Sequence, residues 1–253
     1  MAGGTSMVAQ EKIAQRRTLL WPGLFTLIAF FILCGLGIWQ LQRLEWKLGI
    51  INEMQDRMSA AAMPLPPDHE WPILAALRAS EYRKFSLTGT FDHSKELLIF
   101  RAAGAGALGP VYHVVTPLQR PDGSSVLVNR GFVPDALRDQ AKRIAGQSSG
   151  PVTVTGYLRK AELRNSFTPA DTPDKGVWYS RDPLAMARHL DLQRAAPFLI
   201  EADTATNVGG WPKGGVTTVK IPNNHLSYAW TWFGLAAALL AVFSAFAWGK
   251  LHP

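Results

Sequence analysis

The chain has 253 residues, a formal net charge of +7 and a single cysteine. That length suits one ordinary domain plus accessory segments. One cysteine excludes an intrachain disulfide and disfavours redox or copper chemistry by paired thiols. The lysines and arginines of the middle are scattered, with no cluster interleaved with aromatic residues, so the positive charge does not predict a nucleic acid partner.

The first apolar run extends from Trp21 to Trp39 and has no charged side chain. About twenty helical residues at ~1.5 Å each cross a bilayer core of about 30 Å, so this run predicts a transmembrane helix over residues 19–42. Arg16 and Arg17 precede it as in a secretory signal, but no cleavage site of small residues follows, which favours an uncleaved anchor. Helical spacing then continues, and we expect an extension of this helix to about residue 60.

The middle of the chain, residues 61–222, has the length and polarity of one domain. Strand patterns rich in valine, threonine and aromatic residues follow one another in the order RKFSLTGTF, ELLIF, VYHVVTPL, SVLVNRGFV, VTVTGYL, PFLIEAD and VTTVKI. Short helices are predicted at ILAALRAS, DALRDQAKRIA and LAMARHL, and a hairpin turn at Asp122 and Gly123. Consecutive strands with short turns predict an α+β domain with a mainly antiparallel β-sheet or a partly closed barrel.

A second apolar run near the end predicts another transmembrane helix over residues 226–248. If Asn223 or Asn224 caps this helix, His225 lies in its first turn, near the lipid headgroups. The fold class is therefore a membrane protein with two transmembrane helices flanking the α+β domain. Charges around the first span nearly balance, and Lys250 favours cytoplasmic tails at residues 1–18 and 249–253. The domain between the spans would then be extracytoplasmic.

Several patterns in the middle of the chain have ordinary structural explanations. GAGALG at residues 104–109 matches a dinucleotide fingerprint in letters, but no helix follows to receive a pyrophosphate, so a loop is favoured. His93, His113 and His189 have no metal-ligand spacing, and His113 alternates with valines as a hydrogen-bonded core or edge residue would. Arg130 in LVNRGFVP is interpreted as a structural residue or a carboxylate partner, with the structural role favoured.

One face of the second span has the composition of a flat-ligand site. His225, Tyr228, Ala229, Trp232 and Ala236 recur at helical spacing, so an imidazole, two aromatic rings and two small residues share that face. A neutral imidazole can ligate haem iron. Arg43 and Lys47, which follow the first span, could pair with two propionates. The alternative is an ordinary interfacial belt of aromatic residues with an amphipathic histidine.

Five sequence motifs together resemble the Surfeit locus protein 1 family. They are GIWQLQRLEWK after the first span, LVNRGFVP in the middle, VWYSRDPLAMARHL with PFLIEAD, and IPNNHLSYAWTWFGLA entering the second span. They occur in family order over about residues 37–236, and the last is the most specific. Phe132 departs from the tryptophan that relatives often have, but an aromatic ring is retained.

This resemblance implies an assembly factor, not an enzyme, that serves a haem–copper terminal oxidase. It implies transient binding of haem a, with His225 as the ligand of the haem iron, and delivery between haem a synthase and the main subunit of the oxidase. Arg43, Lys47, Tyr228 and Trp232 are predicted pocket residues from helical spacing. We expect a bacterial inner membrane protein. A scaffold that docks assembly intermediates without binding haem, and a haem-modifying enzyme using His225 as acid or base, are the alternatives.

Overall fold

The computed structural model describes residues 18–102, 109–203, 209–215 and 222–252. The predicted strand VTTVKI, and GAGALG apart from its last glycine, lie outside these residues. The chain divides into two compact units. The first unit, here called the helix pair, is assigned residues 1–53 and 220–253. The second, here called the central unit, is assigned Met54–Val219.

Four α-helices and eight β-strands occur in the described part of the chain. In chain order they are α1 Leu20–Ser59, β1 Met63–Pro64, α2 Trp71–Ala76, β2 Lys84–Phe91, β3 Leu97–Arg101, β4 Val111–Gln119, β5 Ser125–Pro134, β6 Pro151–Arg159, β7 Val177–Trp178, α3 Pro183–His189, β8 Ala195–Ala202 and α4 His225–Leu251. Short 3₁₀ turns occupy several of the connections.

Helices α1 and α4 are both long and apolar enough to cross a membrane. At about 1.5 Å per residue, the 40 residues of α1 extend roughly 60 Å, about twice the hydrocarbon thickness, so much of the helix lies beyond a bilayer core. It ends at Ser59, and the prolines at 64, 66 and 67 in the segment MPLPPDHEWP prevent the helix from continuing beyond the next few residues. The predicted class, two membrane helices flanking a β-rich domain, is confirmed.

Small residues allow the two membrane helices to pack closely. A Cβ atom added to Gly37 would lie 2.6 Å from the ring of Phe233, and one added to Gly23 would lie 3.3 Å from the ring of Phe243. Because the earlier glycine meets the later phenylalanine, the helices run antiparallel. Ala229 and Ala236 of α4 are each only 2% exposed. Close approach of this kind maximises dispersion contacts where no hydrophobic driving force acts between helices in lipid.

The central unit is built on a closed five-stranded barrel. Strands pair in the order β2, β6, β8, β5 and β4, and β4 pairs again with β2 at Thr90 and Phe91. All neighbours in this ring are antiparallel except β5 and β8, which are parallel. Strands β1, β3 and β7 add to the sheet outside the ring. The predicted α+β domain with a mainly antiparallel sheet or partly closed barrel is confirmed, and the ring of five strands is fully closed.

Alternating side chains fill the barrel, as the period of two along a strand requires. Phe85 and Leu87 of β2 point inward and meet Phe198 of β8 in one buried cluster. Helix α2 covers this cluster with Trp71, whose ring meets Phe198 edge to face at 5.9 Å between centroids. Helix α3 buries Met186 completely in a second cluster. The predicted helix LAMARHL is confirmed, since α3 occupies Pro183–His189.

The predicted helix at DALRDQAKRIA is wrong as a single α-helix. The segment forms two 3₁₀ pieces, Asp135–Leu137 and Gln140–Gly146, and the second is broken at Arg143, whose φ is −139°. Arg143 is buried, and its guanidinium donates to Glu96 at 2.8 Å through one nitrogen and again through a second. This tertiary ion pair outweighs the local helical propensity of the segment, because an unpaired buried charge costs several kcal/mol.

Candidate functional site

The NRG sequence of LVNRGFVP forms a β-bulge. The register between β4 and β5 shifts between His113 and Val115, so that an extra residue of β5 is inserted there. The amide of Asn129 spans the bulge: its oxygen accepts from the N–H of Gly131 at 3.0 Å, and its nitrogen lies 3.0 Å from Nδ1 of His113. The motif therefore holds a bend in a barrel strand.

Arg130 has the structural role that the sequence favoured. Its side chain is buried, donates to the carbonyl of Gly146, and places its guanidinium carbon 4.9 Å from the ring centroid of Phe91. Burial lowers the pKa of Arg130 to about 10, with the nearby carboxylate of Glu96 opposing that shift. The guanidinium stays charged at neutral pH and ties a 3₁₀ segment to the barrel.

His113 is a hydrogen-bonded histidine of the barrel, as predicted. Burial lowers its pKa to about 4, and the positive charge of Arg101 acts in the same direction. The neutral ring accepts a hydrogen bond from the Asn129 amide through Nδ1. Among the described residues no group of three or more histidine, cysteine, aspartate or glutamate side chains could hold a metal ion.

His225 is the first residue of α4 and contacts α1 directly. Its Nδ1 lies 2.7 Å from Oε1 of Gln40, and the ring is partly exposed. An amide oxygen can only accept, so Nδ1 bears the proton and Nε2 has a free lone pair. In this tautomer the nitrogen farther from the backbone is available as a metal ligand.

The two predicted cations lie on α1 within two turns of Gln40 and differ in their contacts. The ammonium of Lys47 donates to the carbonyl of Pro222, three residues before His225, so Lys47 lies at the entrance of α4. Arg43 is exposed and its guanidinium carbon lies 4.3 Å from the ring centroid of Trp46 on the same helix. Within the described chain Arg43 forms no ion pair, so its charge is available to an anion.

The face of α4 that was predicted to bind a flat ligand lies at the contact with α1, except for Tyr228 at its edge. Ala229 and Ala236 are buried, and Trp232 is partly buried with its indole N–H enclosed. Tyr228 is 54% exposed. The Trp232 N–H has no hydrogen-bond acceptor among residues 18–102, 109–203, 209–215 and 222–252. An enclosed donor without a partner is uncommon in proteins and marks a position where an acceptor could bind.

The side-chain cap of α4 that was considered for Asn223 or Asn224 does not form. Asn224 precedes the helix with ψ of 7°, close to helical rather than extended, and neither asparagine side chain bonds the first-turn amides. A capping side chain needs an extended backbone to reach those amides. Instead the Asn223 side-chain oxygen is enclosed and, in the described part of the chain, receives no hydrogen bond.

Gln40 is the member of this site that the sequence reasoning missed. It stands in the motif GIWQLQR three residues before Arg43 and seven before Lys47, so the three polar residues share one side of α1. A glutamine near the end of an apolar run, on the same helix face as an arginine and a lysine, indicates a polar contact. Its partner could not be named, because that depends on the register between two helices far apart in the sequence.

The fold and this arrangement define a two-span membrane protein whose spans flank a small mixed barrel, with a histidine presented where the spans meet. The chain belongs to the SURF1 family, and the model of that family matches residues 27–237. This family is known for cytochrome oxidase assembly factors.

Relatives from distant organisms match most of this chain. It is 39% identical over 247 residues to Surfeit locus protein 1 of Mus musculus, covering 92% of this chain and 77% of the relative. It is 41% identical over 218 residues to Surfeit locus protein 1 of Homo sapiens, with coverage of 81% and 70%. A SURF1-like protein of Monosiga brevicollis is 35% identical over 254 residues, covering 96% of this chain and 92% of the relative.

Proposed function

We propose that this chain is a membrane-bound haem a carrier that assists assembly of a haem–copper terminal oxidase. His225 binds the haem iron through Nε2, and the chain delivers haem a to the main subunit of the oxidase. The observation on which this rests is the hydrogen bond between Nδ1 of His225 and Gln40, which leaves the lone pair of Nε2 free to ligate a metal at the helix contact. Family membership supports the assembly role.

The remaining groups of the helix pair suit a flat, amphipathic cargo with two carboxylates. The enclosed Trp232 N–H lacks an acceptor within the described chain, and the Arg43 guanidinium is exposed. Lys47 lies at the same end of the pair as His225. Direct contact between Gly37 and Phe233 leaves no room for a macrocycle between the helices at that level, so the cargo would bind beside the contact.

The proposed role is chaperoning rather than catalysis. Within the described residues the one hydrogen-bond partner of the His225 ring is the Gln40 amide, which supplies no second acid or base. A single histidine ligand favours capture followed by release, because a recipient with two axial ligands in a deeper site binds more tightly. We propose haem a synthase as the donor, the oxidase main subunit as the acceptor, and the lipid bilayer as the surrounding medium.

Haem content tests this function directly. Full-length protein purified from cells that make haem a is expected to contain haem a, measured as the pyridine haemochrome per protein. His225→Ala is expected to reduce that content at least tenfold, because the iron loses its protein ligand. His252→Ala is the matched control, since His252 lies at the other end of α4 with its ring stacked on Trp248. Equal haem in all three proteins would leave only a docking role.

We further propose a bacterial inner membrane location with both termini cytoplasmic and the central unit periplasmic. The orientation is supported by the two candidate spans found in the described residues, which would place both termini on one side, and by Lys250 after the second span. A reporter that is active only in the cytoplasm should be active when fused after residue 253, and inactive when inserted after Asn165 in the 160–170 connection of the central unit. The reverse pattern would contradict this orientation.

A further inference from the structure

One hydrogen bond joins the two membrane helices at the histidine. Gln40 and His225 are 185 residues apart in the chain, and their side chains meet at 2.7 Å where the contact is partly buried. Gln40 is partly buried, whereas Gln42, two residues later on the same helix, is exposed. The helix pair therefore directs one of two neighbouring glutamines toward the imidazole.

The orientation of the Gln40 amide decides what the imidazole can do. With its oxygen toward the ring, Nδ1 is the protonated nitrogen and Nε2 has the lone pair. With its amino group toward the ring, Nδ1 would become the acceptor, the proton would move to Nε2, and the ring could not ligate a metal through that atom. The observed contact selects the ligating form.

We propose that Gln40 is a positioning residue that fixes the tautomer and orientation of His225 for the iron of haem a. This inference depends on the proposed function. The outer partner of a metal-bound histidine typically fixes its ring and tunes its strength as a ligand. The hydrogen bond lies near the membrane, where low polarity strengthens it.

The chemical type of the partner has a consequence for release. A carboxylate in this position would draw the Nδ1 proton strongly and make the imidazole a stronger donor to the iron. The neutral amide of Gln40 orients the ring with a smaller effect on donor strength. A carrier that must give up its cargo benefits from that combination, because a very tight complex would retain haem a.

The test compares three variants of the full-length protein in lipid nanodiscs, each titrated with haem a. Gln40→Leu removes the acceptor and is expected to weaken haem a binding roughly 10-fold to 100-fold. Gln40→Glu keeps an acceptor and is expected to restore binding to at least the wild-type level. Gln42→Leu is the matched control on the exposed side of the same helix and should bind as the wild type does.

The midpoint potential of the bound haem separates positioning from helix packing. Gln40→Leu makes the imidazole a weaker donor, so the potential should rise, and Gln40→Glu makes it stronger, so the potential should fall. A residue that only holds the helices together would not shift the potential in opposite directions. Wild-type affinity and potential in Gln40→Leu, with haem lost in His225→Ala, would overturn the positioning role alone. Haem retained in His225→Ala would overturn the proposed function itself.

Discussion

Replacing Gly131 by alanine is expected to destabilise the barrel by more than about 3 kcal/mol. Gly131 has φ of +117°, a conformation that side chains disfavour, and it lies at the bulge of β5. An added Cβ atom would also collide with the backbone carbonyl of Lys213. The backbone at Lys213 cannot move away from the added Cβ atom without breaking contacts, because Phe132 and Lys213 exchange two hydrogen bonds of 3.0 Å each. Thermal unfolding followed by near-ultraviolet circular dichroism would measure the loss.

Gly150→Ala is the matched control for this substitution. Gly150 also has a positive φ, +92°, but an added Cβ atom meets nothing within 4 Å. It should therefore lose only the conformational part, about 1 kcal/mol. If the two variants lose similar stability, crowding against Lys213 is not the reason for glycine in this motif.

Acid is expected to destabilise the barrel through His113. The pKa of His113 is about 4 in the folded chain because burial opposes the charged ring, compared with 6.5 for the ordinary side chain. Between these values the unfolded chain binds a proton that the folded chain does not, so stability falls as pH decreases from about 6.5 to about 4. The expected loss in the free energy of unfolding is about 3 kcal/mol across this pH range. Above pH ~6.5 the contribution of His113 no longer changes with pH.

His113→Asn isolates this effect. Asparagine can present an amide oxygen close to the position of Nδ1 and accept from Asn129, but it does not titrate. The pKa of His93 is also lowered, mainly by burial, so a smaller slope of the same sign should remain in the variant. Unfolding free energies at pH 7, 5.5 and 4.5 would test this. Equal slopes for the variant and the wild type would show that His113 is not the titrating group.

Much of the fold could be predicted from the sequence, because its local patterns agree with the final structure. The two apolar runs predicted both membrane helices. Segments rich in valine, threonine and aromatic residues, separated by glycine and proline, predicted the strands that form the ring. Ring closure could not be predicted. It depends on the meeting of β2 and β4 at Thr90 and Gln119, a contact between strands that also pair with other partners. Arg143 illustrates the same limit, since its buried ion pair with Glu96 breaks a helical segment.

The candidate site was predictable on one helix and not on the other. Helical spacing placed His225, Trp232 and the buried alanines on one face of α4. Which residue of α1 meets the imidazole depends on the helix register, which is set by small residues such as Gly37 against Phe233. Arg43 and Lys47 both lie on α1, and among the described residues only Lys47 hydrogen-bonds the segment leading into α4.

Chemical rescue tests most directly whether His225 presents its free nitrogen to haem iron. His225→Gly removes the imidazole at the first residue of α4, whose backbone N–H has no intrahelical partner, so the glycine should cost the helix no more than about 1 kcal/mol. Full-length wild-type protein in nanodiscs should bind haem a with the absorption spectrum of a histidine-ligated haem. His225→Gly should bind it weakly, and added imidazole should restore both the affinity and the spectrum. Binding by His225→Gly with wild-type affinity and spectrum, without imidazole, would contradict the account.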